Sequence, residues 1–340
     1  MAQATNYQPT QNIEVFFQKE STVGDQPNDT GLKKLQTVSF SIPEAGVPVE
    51  YSAQRAGAFV QTANQGHHAQ GTKMWTFETT LRGTPTSVLL ATEAVFEQAS
   101  SEATLNNTYE FPHANYKNGA SSAATFEFRF LNAGADSSET DPLEHMVLQG
   151  CVGTGFTLSE DIGSEGGELV CTINWATAFT PQYSGDAISS SSYDADPPKN
   201  IRSLNSGTTG INGGELEELV IQSFELSVNR TIERIHYKDT NDGSYEPFGY
   251  AMTGGFEVTG SITAIRNDDI HDLLAKFYDS NTVDINIAES SNFAIALDKC
   301  FLNEPSIDNG GAVLMETIPF TVVGADDLGT TTKMLGITIA

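Results

Sequence analysis

The sequence predicts a mainly β protein made of two similar β-barrel or sandwich domains, each with one flanking α-helix. Three observations lead there: most patterned segments alternate apolar and polar residues with period two, only two segments show helical spacing, and one order of elements occurs twice along the chain. At 340 residues the chain exceeds the usual size of one compact domain. Its 39% hydrophobic and 18% charged composition supports a packed core.

Taken in order, residues 35–42 (LQTVSFSI) place Val38, Phe40 and Ile42 on one face and Thr37, Ser39 and Ser41 on the other. Residues 75–82 set Trp75, Phe77 and Leu81 against Thr76, Glu78 and Thr80, and residues 125–131 bring Phe126, Phe128 and Phe130 together. Such alternation belongs to antiparallel strands with one dry and one wet face. A helix is predicted over 84–99, with Pro85 at the first helical position and Val88, Leu89, Val95 and Phe96 at helical spacing. A second is predicted over 268–279, capped by aspartates and striped by Ile270, Leu273, Leu274 and Phe277.

Both helices follow a strand ending in arginine, Arg82 or Arg266, and the likeness extends in both directions. Residues 221–228 (IQSFELSV) match 35–42 in polarity throughout. Each octet leads into a long polar arm, 43–72 or 229–254, then a strand, 75–82 or 256–266, then the helix. After the helix, 125–131 corresponds to 282–288, 145–151 to 293–300, and the segment from Gly166 to that from Gly310. The first copy alone holds an insertion, within 100–124. Between the copies, 181–214 is rich in Ser, Gly, Asn and Pro and reads as a linker. The predicted organisation is an N-terminal extension (1–34), a first β-domain (35–180), the linker (181–214) and a second β-domain (215–340).

Acidic residues number 44 against 17 Lys and Arg, a net charge of −27, and no Lys or Arg lies between Arg129 and Lys199. A surface of that sign repels phosphates, which excludes sequence-independent nucleic-acid binding as a function class. Cys151, Cys171 and Cys300 are widely spaced with no C-x-x-C pair, so they read as small core residues, not as a disulfide scaffold or zinc ribbon. The first residues lack a charged segment followed by an apolar one. No window reaches the ~18 consecutive apolar residues of a membrane span. The expectation is a soluble protein made in a reducing cytoplasm.

Candidate chemistry is sparse. His67 and His68 have no third ligand at metal spacing and read as a solvated pair in the first arm, while His113, His145, His236 and His271 are isolated. Asp239 to Gly243 (DTNDG) departs from a calcium loop in the place of its glycine and in lacking a later bidentate Glu, and reads as a turn. Asp308-Asn309-Gly310-Gly311 is a hairpin turn. No nucleophile elbow, phosphate loop or dinucleotide fingerprint is present. The expectation is a non-enzyme with no catalytic residues, no metal and no cofactor.

Residues 223–237 (SFELSVNRTIERIHY) and 247–268 (PFGYAMTGGFEVTGSITAIRND) resemble the strand–arm–strand core of bacteriophage tail tube (major tail) proteins. The first copy carries the same plan in degenerate form. The resemblance implies small β-barrels or sandwiches that assemble into stacked rings, usually with six barrels around a lumen, the arms bridging to neighbouring subunits or rings. Two barrels per chain then imply a trimeric ring with pseudo-sixfold symmetry. The implied function is a structural virion protein of the tail, assembled in the host cytoplasm, forming the tube through which DNA is ejected. The implied partners are further copies of the chain, the tape-measure protein, and tail terminator or distal tail proteins, with DNA passing unbound.

On this reading the wet strand faces carrying Thr76, Glu78, Glu225, Ser227, Glu257, Thr259 and Ser261 line the lumen; outer, solvent-facing surfaces would look the same in sequence. The arms, with His67, His68, Tyr237, Tyr245, Phe248 and Tyr250, make the contacts between rings. Small separate barrels have open strand edges, which strand addition between neighbours would cover. Two other functions fit the same features: a secreted or surface two-module carbohydrate-binding protein whose arm aromatics hold the ligand, and a tail terminator or baseplate hub that does not polymerise.

Overall fold

The structure is a computed structural model that describes residues 13–24, 33–35, 37–44, 49–51, 66–68, 73–96, 107–111, 122–130, 144–163, 167–184, 192–193, 210–211, 220–238, 245–268, 282–290, 293–323 and 334–339. It is mainly β and almost entirely antiparallel. In chain order the strands are β1 (Ile13–Lys19), β2 (Lys33–Lys34), β3 (Thr37–Phe40), β4 (Val49–Tyr51), β5 (Gly66–His68), β6 (Trp75–Arg82), β7 (Asn107–Phe111), β8 (Ala123–Phe130), β9 (Glu144–Asp161) and β10 (Val170–Thr177). They continue as β11 (Gln182–Ser184), β12 (Ser192–Tyr193), β13 (Gly210–Ile211), β14 (Ile221–Lys238), β15 (Tyr245–Ile265), β16 (Val283–Ser290), β17 (Phe293–Leu302), β18 (Ser306–Asp308), β19 (Met315–Val322) and β20 (Leu335–Ile339). Helix α1 (Pro85–Phe96) lies between β6 and β7. Asp268 is helical, and the rest of the second predicted helix lies outside the described residues.

In the first half the strands pair in the order β3–β6–β10–β9–β8–β1, and in the second in the order β14–β15–β19–β17–β16–β13. The registers agree residue by residue. Thr80 stands opposite Thr172 as Thr263 does opposite Thr317, and each pair joins its hydroxyls, at 3.3 and 2.8 Å. The β8–β9 ladder skips a residue between Ala124:Cys151 and Phe126:Leu148, and the β16–β17 ladder does so between Val283:Cys300 and Ile285:Leu297. At both skips the residue before the cysteine has a positive φ, 59° at Gly150 and 56° at Lys299. Such bulges re-aim a strand, and each positions a buried thiol.

This correspondence differs in phase from the one suggested by sequence. Thr37 opposite Leu81 matches Ile221 opposite Ala264, so the octets align two residues away from the match of residue 35 with 221. In the last strand, Cys171, Ile173 and Trp175 take the inward positions held by Glu316, Ile318 and Phe320, one residue from the alignment of Gly166 with Gly310. A polarity pattern of period two matches itself at every even shift, which accounts for the first difference; the second comes from aligning the shared Gly-Gly pair, and only the pairing partner fixes the register.

Each half is a sandwich bridged by one strand that pairs in both layers, β9 in the first half and β17 in the second. Residues 144–152 of β9 pair with β8, then residues 152–159 pair with β10. Between the layers, Phe126 lies 5.0 Å from Phe77 and 4.8 Å from Trp175, ring centre to ring centre, both edge-on. Buried Ile285, Ile287, Ile318 and Phe320 fill the second half, and one apolar cluster runs through both. Helix α1 is capped reciprocally: Ser87 N–H donates to Thr84 Oγ1 at 3.2 Å and Thr84 N–H to Ser87 Oγ at 2.8 Å. Val88, Ala91, Val95 and Phe96 are fully buried, and so is most of the helix's other face, including Glu93, which pairs with Lys19.

Segments between the predicted domains contribute strands. Within residues 1–34, β1 pairs with β8 from Ile13:Phe130 to Lys19:Ala124. Within 181–214, β11 pairs with β9 and β13 with β16. The insertion carries β7, which pairs with the last strand, β20. The second arm is a continuation of β14 and β15, paired as far as Lys238:Tyr245, and its predicted turn at 239–243 lies outside the described residues. In the first arm β4 and β5 form a two-stranded sheet.

Candidate functional site

The two halves meet edge to edge. Residues 155–161 of β9 pair with β14 from Asn229:Gly155 to Ser223:Asp161, so β3, β6, β10, β9, β14, β15, β19 and β18 form one continuous sheet. Its inner face supplies the core. The opposite face is built by the wet half of each alternation.

On that face directly paired residues run in rows across the strands. One row is hydroxyl throughout: Ser39, Thr80, Thr172, Thr157, Ser227, Thr259 and Thr321. Thr157 and Ser227 hydroxyls are 3.3 Å apart across the join of the halves, and Asn229 Nδ2 donates to Ser227 Oγ at 3.1 Å. The neighbouring row is Glu78, Asn174, Gly155, Asn229 and Glu257. Glu78 N–H donates to Ser41 Oγ at 2.8 Å, and Ser41, Thr76, Glu78, Thr154 and Asn174 line a shallow groove. Glu225 sits in the next row, opposite Ser159 and Ser261. That row continues through Val170 to Arg82, whose guanidinium is 3.7 Å from the Glu168 carboxylate, and no Lys or Arg interrupts 76–80, 225–229 or 257–263. The surface is therefore short-chained, hydroxylated and anionic. At physiological salt its repulsion of other anions extends about 8 Å.

All seven residues expected on one functional face, Thr76, Glu78, Glu225, Ser227, Glu257, Thr259 and Ser261, thus share one sheet face. The residues that sequence reasoning missed there are those of the two middle strands, Thr157, Ser159, Thr172 and Asn174; the alternation in residues 156–159 (FTLS) and 172–175 (TINW) carries their signal.

The arm residues are spread more widely. His67 and His68 lie on β5, Tyr237 on β14, and Tyr245 and Phe248 on β15; their side chains are outside what the structure describes. Tyr250 is buried at the base of the second hairpin, where its hydroxyl donates to Gly150 O at 2.5 Å and accepts from Ala178 N–H at 3.0 Å. Burial pushes that phenol up, and its ring anchors the hairpin to the first half instead of presenting a surface.

A second tie crosses the join. Buried Arg230 on β14 donates from Nε to Gly153 O at 2.7 Å and from Nη2 to Ala94 O at 2.9 Å. Ala94 lies in the last turn of α1, where carbonyls without helical partners favour a cation. His145, isolated in sequence, is buried with Nδ1 2.5 Å from Glu127 Oε1; Arg129 clasps the same carboxylate with two contacts of 3.1 Å and lies over the Phe16 ring. This cluster holds β1, β8 and β9 together and contains no nucleophile. The three cysteines are buried, and desolvation pushes Cys171 and Cys300 up to about 12 and raises Cys151 as well, so none is poised as a thiolate. Among the described residues no three His, Cys, Asp or Glu side chains gather as a metal site, and no helix is long and apolar enough to cross a membrane.

A family profile described as "Phage tail tube protein" matches residues 10–322. Comparison with curated proteins finds no match.

Proposed function

We propose that this chain, which belongs to the phage tail tube protein family and is a structural protein of the phage tail, is the major tail tube subunit that polymerises into a hollow conduit for DNA. The observation that carries the reading is the anionic, hydroxyl-lined face that runs unbroken across both halves of one sheet. Facing a lumen, it keeps passing phosphates from adhering, where Lys or Arg would trap them. The repeated strand order and register support two copies of one tube domain in the chain, joined by the 181–214 segment. Keeping six domains per ring then takes three chains. The arms, including the β4–β5 hairpin and the β14–β15 extension, reach from the sheet toward neighbouring rings. The role is non-enzymatic, and the partners are the tape-measure protein and the terminator and distal tail proteins of a virion assembled in the host cytoplasm.

Negative-stain electron microscopy of the purified protein over a range of concentration and salt tests this. Hollow tubes or stacked threefold rings are expected. Single rings that never stack would reassign the chain to a terminator or hub, and two-lobed monomers at every concentration would overturn self-assembly.

A further inference from the structure

The continuous sheet ends in two open edges. Among the described strands, β3 pairs only with β6 and β18 only with β19. By register, β3 occupies in the first half the place of β14 in the second, because Ser39:Thr80 and Phe40:Thr79 correspond to Ser223:Thr263 and Phe224:Ile262. Likewise Ser306:Thr317 and Ile307:Glu316 correspond to Thr157:Thr172 and Leu158:Cys171, which makes β18 the counterpart of residues 157–159 of β9. The two open edges are therefore the counterparts of the two edges already joined inside the chain.

Exposure follows the same division. At the internal join Leu226 stands opposite Leu158, and both are 0% exposed. Their counterparts are Ile42, two residues beyond the end of β3 and 38% exposed, and Ile307, which is 54% exposed. Val38 beside the first edge and Val313 beside the second are also exposed. Large aliphatic side chains left in water along both open edges, at positions buried in the internal join, mark surfaces that a partner covers.

We propose that β3 of one chain pairs antiparallel with β18 of the next in the register of the internal β9–β14 join, setting Ile42 opposite the neighbour's Ile307 and Ser41 opposite its Asp308. The occupant of each edge is a second copy of this chain, and the hydroxyl and carboxylate face then passes from chain to chain without a break. The proposal rests on the tube reading and adds which edges meet and in what register.

The test is disulfide trapping in the full chain. Directly opposed residues of antiparallel strands place their Cα atoms about 4.5–5.5 Å apart, within the span of about 4.4–6.8 Å that a disulfide bridges. Native thiols do not compete, being buried. On mild oxidation the double variant I42C/I307C is expected to give a ladder of covalent multimers on a non-reducing gel, ending at the ring's subunit number. Mixed single variants I42C and I307C should stop at the covalent dimer. The polar pair S41C/D308C repeats the test without removing an apolar contact. For the unaltered chain, amide exchange in residues 39–44 and 306–308 should slow about 100-fold or more on assembly. Tubes that form with no cross-link from either pair and no new protection in these segments overturn the join and leave the tube function standing. Absence of any assembly by the unaltered chain overturns the tube function, and the join with it.

Discussion

In the first half, Phe77 on β6 faces Phe126 and Phe128 of β8 and Trp175 of β10, whereas the same positions in the second half hold Gly260, Ile285, Ile287 and Phe320. An aromatic cluster in one half is an aliphatic one in the other, with the Phe320 ring lying over Gly260. A Cβ at Gly260 would come within 2.4 Å of both that ring and Glu225 O, so no larger residue fits there. Yet strand order, bulges and register coincide. Backbone pairing and the dry/wet alternation carry the common fold, and each half fills its interior by a different jigsaw. That explains how the two halves share a strand order with so little identity.

The most disruptive way to probe the comparison is to cut what ties the halves together. Arg230→Met leaves the Gly153 and Ala94 carbonyls buried without their donor and is expected to cost about 3–5 kcal/mol. Trp75 and Trp175 both lie in the first half, so tryptophan fluorescence follows that half alone while circular dichroism follows both. In urea the two signals should coincide for the unaltered chain and separate for the variant; coincidence in both would mean that Arg230 does not couple the halves. Next come the cores. Phe126→Ala is expected to cost about 3–5 kcal/mol and Ile285→Val about 0.5–1.5 kcal/mol, and equal losses by denaturant titration would contradict the contrast between them.

The shared bulge gives a smaller pair of opposite sign. Gly150→Ala forces a Cβ within 2.4 Å of the Phe179 ring at a positive φ and should lower stability by about 1–3 kcal/mol. Lys299→Gly relieves a left-handed non-glycine residue and should raise it by about 0.5–1 kcal/mol. The smallest effect concerns Glu93. Burial raises its carboxyl above the ordinary 4.5, although Lys19 draws it back. A raised acid contributes stability that is present below the ordinary value and lost as pH climbs through the folded one. Glu93→Gln should therefore gain on the unaltered chain in melting temperature between pH 4 and 7, and a parallel pair of melting curves over that range would refute the assignment.

Much of the fold was legible because one side of each strand is dry. The strand at 75–82 was read to the residue, the helix at 84–99 to within three, and the inward Phe126 and Phe128 directly. The acidic face was legible for the same reason. What escaped were elements without clean alternation. In β1 the adjacent residues Val15 and Phe16 are both buried, one in the core and one beneath the Arg129 guanidinium, so no period marks the strand. The strand β7 lies in what looked like an insertion, and it is recognisable only through its partner at the far end of the chain. The second arm reads as a loop although β14 and β15 pair through most of it, because its buried positions, Arg230, Ile232 and Tyr250, mix polar and apolar residues and give no apolar stripe.

The β9–β14 join lies within one polypeptide, and this bears on how assembly depends on concentration. Two edges tethered by a linker meet at an effective concentration on the order of millimolar, whatever the amount of protein in the cell. In a ring of such chains, every second seam is therefore closed before any two molecules collide. In the three-chain ring proposed above, only the remaining seams would obey mass action, and three partners would need to meet where single-domain subunits would need six.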